Sequence, residues 1–497
     1  MITFPNNSSG LEQKQDKVSA KPIAFFVLFP LILYLSLIFF PQFDLSHKHI
    51  HGHFYIVSLA AVWASIIAIS VGWVGTRLRN IQVQLVSLAF ISLAMIFSMH
   101  GLATPGFILP ANSIIKIAAN LSLFTTSFWL LLSSFPGDAS LIKQLHKLNP
   151  YLIPGWVGLL LTFGGVLFMF PQIADALPVS SDPLKYILAW IGMSLCLATA
   201  RRYWNSYLFT RAPLQLAMVY CAGWLTVAQF IMVTGKTWMS SWWIYHLLIL
   251  FACIMMVYGL AKQYFLGHSL ATVLPGLWSA NPVDRLESVI SPDLRRMITE
   301  TEAHDSYTAG HNYRVAKLAV QLGQTMGLKP EQLRALAQGG IIHDIGKLNV
   351  PVDILNKPGR LDDNERKTIE LHPLHGWQLA KFAGFMPEEL AVIRHHHERW
   401  DGAGYPDGLA AEDIPLLARI TSVIDVYDAL TSERAYRQPW SHEKASTLII
   451  EQAGSQFCPT VVEAWKELSQ ALAEEQAEQD VIEHINVFDT ITRPALA

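Results

Sequence analysis

Between about residues 22 and 262 the chain is almost continuously apolar, in runs separated by short polar breaks, and no other feature restricts its folding so strongly. We read eight runs: 22–40, 54–75, 81–99, 112–135, 151–171, 186–200, 214–234 and 243–261. Most are close to the ~20 residues with which a helix crosses the hydrocarbon core of a bilayer. Backbone amides in lipid must pair within their own segment, so these runs are expected as transmembrane helices. The sixth is the shortest and weakest. This block accounts for a composition that is 52% hydrophobic and only 15% charged over 497 residues, against roughly 25% charged in soluble domains.

The breaks between runs alternate in charge. Lys14, Lys17 and Lys21 precede the first run, and Arg77 and Arg79 follow the second. Lys143 and Lys147 follow the fourth, and Arg201, Arg202 and Arg211 follow the sixth. The intervening breaks are poorer in base; one holds Asp175 and Asp182 against Lys185. Basic loops mark the cytoplasmic side, so both termini are expected there. Trp238, Trp242 and Trp243 fit an aromatic belt on the outer face. Lys116 lies about a turn inside the fourth run, where it can snorkel. No chain of acidic and basic residues crosses the spans, as ion-coupled transport would use, which favours an anchor or a sensor. His47, His49, His51 and His53 alternate in the first outer loop, with His100 in the third. In extended chain that alternation puts all four on one side. Such tracts can bind metal, although a polar interfacial loop is the plainer expectation. His246, in the eighth run, is expected as an ordinary buried histidine.

The first run has no cleavage pattern after it, so it reads as a span and not as a leader. Residues 1–21 form the N-terminal tail and 22–262 the membrane domain. Residues 263–300 are a linker, broken by Pro275, Pro282 and Pro292. From 301 to 470 the pattern is that of soluble helices, as in RVAKLAVQLGQTMGL, with apolar residues three and four apart. Residues 471–497 read as an acidic, then loosely ordered tail. The whole is expected to be all-α. Cys196, Cys221, Cys253 and Cys458 include no CxxC pair, and three lie inside apolar runs, which argues against a disulfide framework and a cysteine zinc site. A net charge of −3 carries no signature of nucleic-acid polymer binding.

Chemistry concentrates in the soluble segment. His343-Asp344, in IIHDIGK, offers a nitrogen and an oxygen ligand at one point, a set that suits an octahedral transition metal better than structural zinc. His311 precedes it on an amphipathic helix. His372, the run His395-His396-His397 and Asp425 follow. That spacing suits ligands delivered from successive helices of a bundle into one pocket.

The stretch from Tyr307 to Pro459 resembles the HD-GYP family of cyclic di-GMP phosphodiesterases. It carries YTAGHNYRV, HDIGK, VPVDILNKPGRLDDNE, HHHERWDGAGYPDGL, IPLLARITSVIDVYDALTSERAYR and GSQFCP. The resemblance implies an all-α bundle that hydrolyses cyclic di-GMP to a linear dinucleotide, or on to GMP, with metal-activated water. It implies metal ligands at His311, His343, Asp344, His372, His396, His397 and Asp425, with Asp344 as the bridge and His395 as an extra. Two divalent ions, iron or manganese, are the implied cofactors. Lys347 matches a lysine expected at the scissile phosphate.

Gly404, Tyr405 and Pro406 match the tripeptide that names the family. Its glycines permit tight backbone, Pro406 stiffens it, and Tyr405 offers a face for base stacking. Arg434 and Arg437 match positions that hold substrate phosphate, for which a forked guanidinium is suited. Tyr307 stands where some members carry a glutamate for a third metal, which favours two ions. Cys458 stands where aspartate is common and is expected to be structural. Beside cyclic di-GMP and membrane lipid, the implied partners are a second copy of the chain or a diguanylate cyclase protein at the GYP loop. The implied location is the bacterial inner membrane, with the catalytic domain in the cytoplasm.

Overall fold

The computed structural model describes residues 20–106, 110, 112–137, 139–267, 292–305, 310–432 and 438–492. The expectations placed on Lys14, Lys17, Tyr307, Arg434 and Arg437, and on the linker from 268 to 291, lie outside the described residues. The described residues form helices and loops with no β-strand, as the sequence predicts. The chain divides into two compact units, one within Asp16–Ala280 and the other within Ile290–Ala497.

The first unit contains α1 (Ala20–Phe39), α2 (Ile50–Arg77), α3 (Ile81–Leu102), α4 (Ile114–Ser133), α5 (Ser140–Lys147), α6 (Asn149–Met169), α7 (Pro171–Ala176), α8 (Leu184–Thr210), α9 (Pro213–Thr234) and α10 (Ser240–Gly267). Each of the eight apolar runs lies in a long helix. Seven of these helices are long and apolar enough to cross a membrane. The eighth, α8, falls short of that apolar density because Lys185, Arg201 and Arg202 lie within its 27 residues. It nevertheless packs inside the bundle: Cys196 meets Ser127 at 3.1 Å and Tyr203 meets Ser133 at 2.8 Å, both on α4. Helix α3 is buried on almost every side and forms the centre, which suits its uniformly apolar sequence.

The histidine alternation does not survive as an extended strip. Helix α2 begins at Ile50, so the four positions turn to different directions. His53 is buried, whereas His47, His49 and His51 are exposed.

The second unit contains α11 (Pro292–His304), α12 (His311–Thr325), α13 (Pro330–Ile342), α14 (Val352–Leu355), α15 (Asp363–Glu370), α16 (His372–Phe382), α17 (Pro387–His395), α18 (Leu416–Thr431), α19 (His442–Glu451) and α20 (Pro459–Thr492). Helix α12 buries Val315, Ala316, Ala319, Val320 and Gly323, one apolar stripe at helical spacing. Helix α18 is the central rod, buried at Leu417, Ile420, Val423 and Ile424. The tail is corrected: α20 runs on to Thr492, so residues 471–492 are helical and not loosely ordered.

Candidate metal centre

Four helix ends converge on the middle of α18. His311 opens α12, and His343 closes α13 with Asp344 beside it. His372 opens α16, while His396 and His397 follow the end of α17. Asp425 projects from α18 itself. Close backbone approach makes this possible. A side chain at Gly346 would overlap the His372 carbonyl and reach Gly376 N at 2.5 Å, so only glycine lets the HD turn lie directly on α16.

The gathered groups form two sets. Asp344, His372, His396 and His397 are one; His311, His343 and Asp425 are the other. Two carboxylates straddle them. Asp344 lies 3.2 Å from His372 Nε2 through Oδ1 and 3.6 Å from His343 Nε2 through Oδ2. Asp425 lies 3.2 Å from His311 Nε2 and, through its other oxygen, 4.0 Å from His397 Nδ1.

The rings are oriented from behind. His343, His372 and His396 place Nδ1 at 2.8, 2.8 and 2.9 Å from the carbonyls of Gly340, Ile369 and Ile393. A carbonyl only accepts, so Nδ1 carries the proton and Nε2 presents a bare lone pair to the centre. This backing is what metal-binding histidines use. His343 Nε2 is buried with no hydrogen-bond partner. Burial, helped by neighbouring histidines, pushes His396 well below its ordinary value and His397 down to about 3. Burial also opposes a charge on His311, but its hydrogen bonds to the Asp425 and Asp428 carboxylates outweigh it and hold its value up at about 9. Five imidazoles and two carboxylates, with an orphaned nitrogen among them, fit a pair of transition-metal ions.

Several residues that matter here were not singled out from the sequence. Asp428 accepts from His311 Nδ1 at 2.7 Å and is clamped by Arg314 at 2.7 and 2.9 Å. Asp428 stands three residues after Asp425, hence on the same helix face, and that spacing was the available signal. Lys347 is 2.6 Å from Asp344 and 3.0 Å from Asp305. Helix α11 stops at His304, and His304 Nε2 meets the Val350 carbonyl at 2.8 Å, which places Asp305 beside the lysine. Burial would raise the Asp344 carboxyl, but the Lys347 ammonium holds it well below the usual carboxylate range.

Gly404, Tyr405 and Pro406 stand at the rim of this centre. The Tyr405 ring lies against His397 with centroids 4.8 Å apart. A side chain at Gly404 would fall 2.6 Å from Glu398 Cα, so the loop crosses directly over the chain that supplies the histidines. Buried Glu398 accepts from the amides of Asp407 and Leu409 at 2.8 and 3.0 Å. Arg394 holds Asp407 through two bonds of 2.7 and 2.8 Å. His395 faces Asp407 at 3.3 Å and belongs to this brace, apart from the two sets above. Cys458 is buried and lies 3.5 Å from Arg419 Nη1, a packing position.

Residues 294–461 match the HD domain family. The C-terminal unit is similar to HD domains over these residues. Its matched part is a third of the chain, and the HD domain aligns with curated relatives. The cyclic di-GMP phosphodiesterase response regulator RpfG of Xanthomonas campestris is 36% identical over 190 residues, 38% of this chain and 50% of that protein. A cyclic di-GMP phosphodiesterase of Pseudomonas aeruginosa is 39% identical over 175 residues, 35% of this chain and 42% of that one. A 3'3'-cGAMP-specific phosphodiesterase of Vibrio cholerae is 35% identical over 164 residues, 33% of this chain and 31% of that one. The chain thus spans half or less of the length of the curated relatives it matches.

Proposed function

We propose that the chain is a membrane-anchored phosphodiesterase that hydrolyses cyclic di-GMP, under the control of its membrane unit. The observation that carries this reading is the pair of carboxylates, Asp344 and Asp425, each shared between two sets of inward-facing histidines. Two iron or manganese ions held by those seven residues would supply a water of lowered pKa and neutralise charge on the phosphate.

The chain's own residues supply the rest. Lys347 holds a fixed cation beside Asp344, placed to meet a phosphate oxygen. Tyr405, braced against His397, offers a face on which a guanine can stack. Glu398 and Arg394 keep that loop in place. Arg434 and Arg437 take the second phosphate in this reading. The eight-span arrangement with basic loops inward would put the HD domain in the cytoplasm, with its substrate.

Relatives named for cyclic di-GMP and for 3'3'-cGAMP stand at 36% and 35% identity, so hydrolysis of the mixed dinucleotide is the second reading. The test is chromatography of products from the full chain in detergent, loaded with manganese or iron and given each dinucleotide separately. Linear pGpG or GMP from cyclic di-GMP at the higher kcat/KM supports the proposal. Faster hydrolysis of cGAMP selects the second reading. Binding without any product overturns both and leaves a silent receptor.

A further inference from the structure

Three histidines from separate helices meet inside the membrane unit: His53 near the start of α2, His100 near the end of α3 and His246 near the start of α10. All three are buried. His53 Nε2 lies 3.1 Å from His100 Nε2 and 3.0 Å from His246 Nε2. His100 Nδ1 is 2.7 Å from the Ile115 carbonyl, which can only accept, so that ring's proton is on Nδ1 and its Nε2 is bare. His53 Nε2 therefore faces two imidazole nitrogens with at most one hydrogen. If it donates to His100, it has no lone pair for His246. If it is bare, it meets His100 lone pair to lone pair. On neutral rings both contacts can be served only by one N–H shared between two acceptors, the weaker three-centre bond, whereas one cation accepting three lone pairs serves all three nitrogens fully.

We propose that His53, His100 and His246 bind a single transition-metal ion, zinc or copper, at the end of the membrane unit away from its basic loops. Metal–imidazole bonds of 2.0–2.1 Å in a tetrahedron put ligand nitrogens about 3.3 Å apart, close to the spacing here. Nitrogens this close leave no room for a macrocycle between them. No carboxylate or thiolate joins the group among the described residues, which favours imidazole-preferring zinc and copper over manganese or magnesium.

The surroundings are built around the three rings. Trp242 stacks on His53 with centroids 5.5 Å apart, and Tyr245 lies 3.8 Å from His246. His53 Nδ1 is backed by Thr104 at 3.1 Å. The segment before α2 is clasped to the start of α10. Asp44 accepts from the Ser241 amide and hydroxyl, each at 2.8 Å, and the His47 amide donates to the Trp238 carbonyl at 2.7 Å. The tryptophans assigned to an interfacial belt thus also roof this cluster.

The experiment uses the full chain in detergent, stripped and reloaded with Co(II) or Zn(II), in an Asp344→Ala background that weakens the HD sites. Tetrahedral Co(II) absorbs strongly in the visible and six-coordinate Co(II) weakly, so the two places are told apart by spectrum. The expected result is one equivalent with intense bands, lost in His100→Gln and in His246→Gln. Intense bands persisting in both variants, or absent before either change, overturn the proposal. X-ray absorption on the Asp344→Ala chain with one equivalent of zinc needs no histidine variant. A four-coordinate shell with three imidazoles is expected, and a six-coordinate shell overturns the assignment.

Discussion

The Asp344 carboxylate touches three partners at once: His372 at 3.2 Å, Lys347 at 2.6 Å and His343 at 3.6 Å. Asp344→Ala is expected to lower hydrolysis and the metal held by the HD site together, leaving any ion at the histidine cluster of the membrane unit in place, while circular dichroism stays helical. Full metal content with full activity would remove Asp344 from the ligand set. Asp428 tests the layer behind. It touches His311 Nδ1, the nitrogen turned away from the centre. Asp428→Asn keeps the shape and removes the charge that fixes the ring; such changes cost about 10- to 100-fold in metal affinity. A metal titration checks this, and an unchanged dissociation constant would make the Asp428 contact incidental. The seven motif residues were legible because each is a histidine or aspartate inside a dense motif. Asp305, Arg314 and Asp428 were not, because their partners lie 42 to 117 residues away and no periodicity links them.

At the scale of elements, the two glycine crossings decide whether ligands meet. Gly346→Ala would drive a methyl into the backbone of α16 at His372. Forced overpacking costs about 1–3 kcal/mol, so a fall in melting temperature accompanied by loss of bound metal is expected. A variant that melts and binds metal as the parent does would show that the HD turn can move freely off α16. Glu398 governs the other crossing. Glu398→Gln removes one of two charged acceptors for the amides of Asp407 and Leu409, where such a bond is worth about 1.5–3 kcal/mol. Faster amide exchange across residues 404–409 and a raised KM, with metal content unchanged, are the expected readouts. Unchanged exchange would assign the loop's order to Arg394 alone. The turn type around Gly404 could be expected from its sequence, but not that Glu398, inside the HHHERWDG motif, supports it by folding back under the loop.

For the whole molecule, hydropathy made the long helices visible, and it blurred at α8, where Lys185, Arg201 and Arg202 interrupt the apolar sequence. Whether α8 crosses decides the side on which α10 emerges. A reporter fused after Lys262 is expected to read cytoplasmic, as eight crossings and the basic loops require. A periplasmic reading would mean an odd number of crossings and would separate the HD domain from a cytoplasmic nucleotide. What hydropathy could not reveal was the meeting of His53, His100 and His246, since it depends on how α2, α3 and α10 rotate about their axes and not on how apolar they are.

Helix α10 holds His246 near one end and runs without proline to Gly267 at the other. The 21 residue steps from one to the other make a rod of roughly 32 Å at 1.5 Å per residue. Its one glycine between those two residues, Gly259, packs closely on Ala217 and Leu214 of α9. A continuous helix thus links the residue at the histidine cluster with Gly267, across a length close to that of the hydrocarbon core.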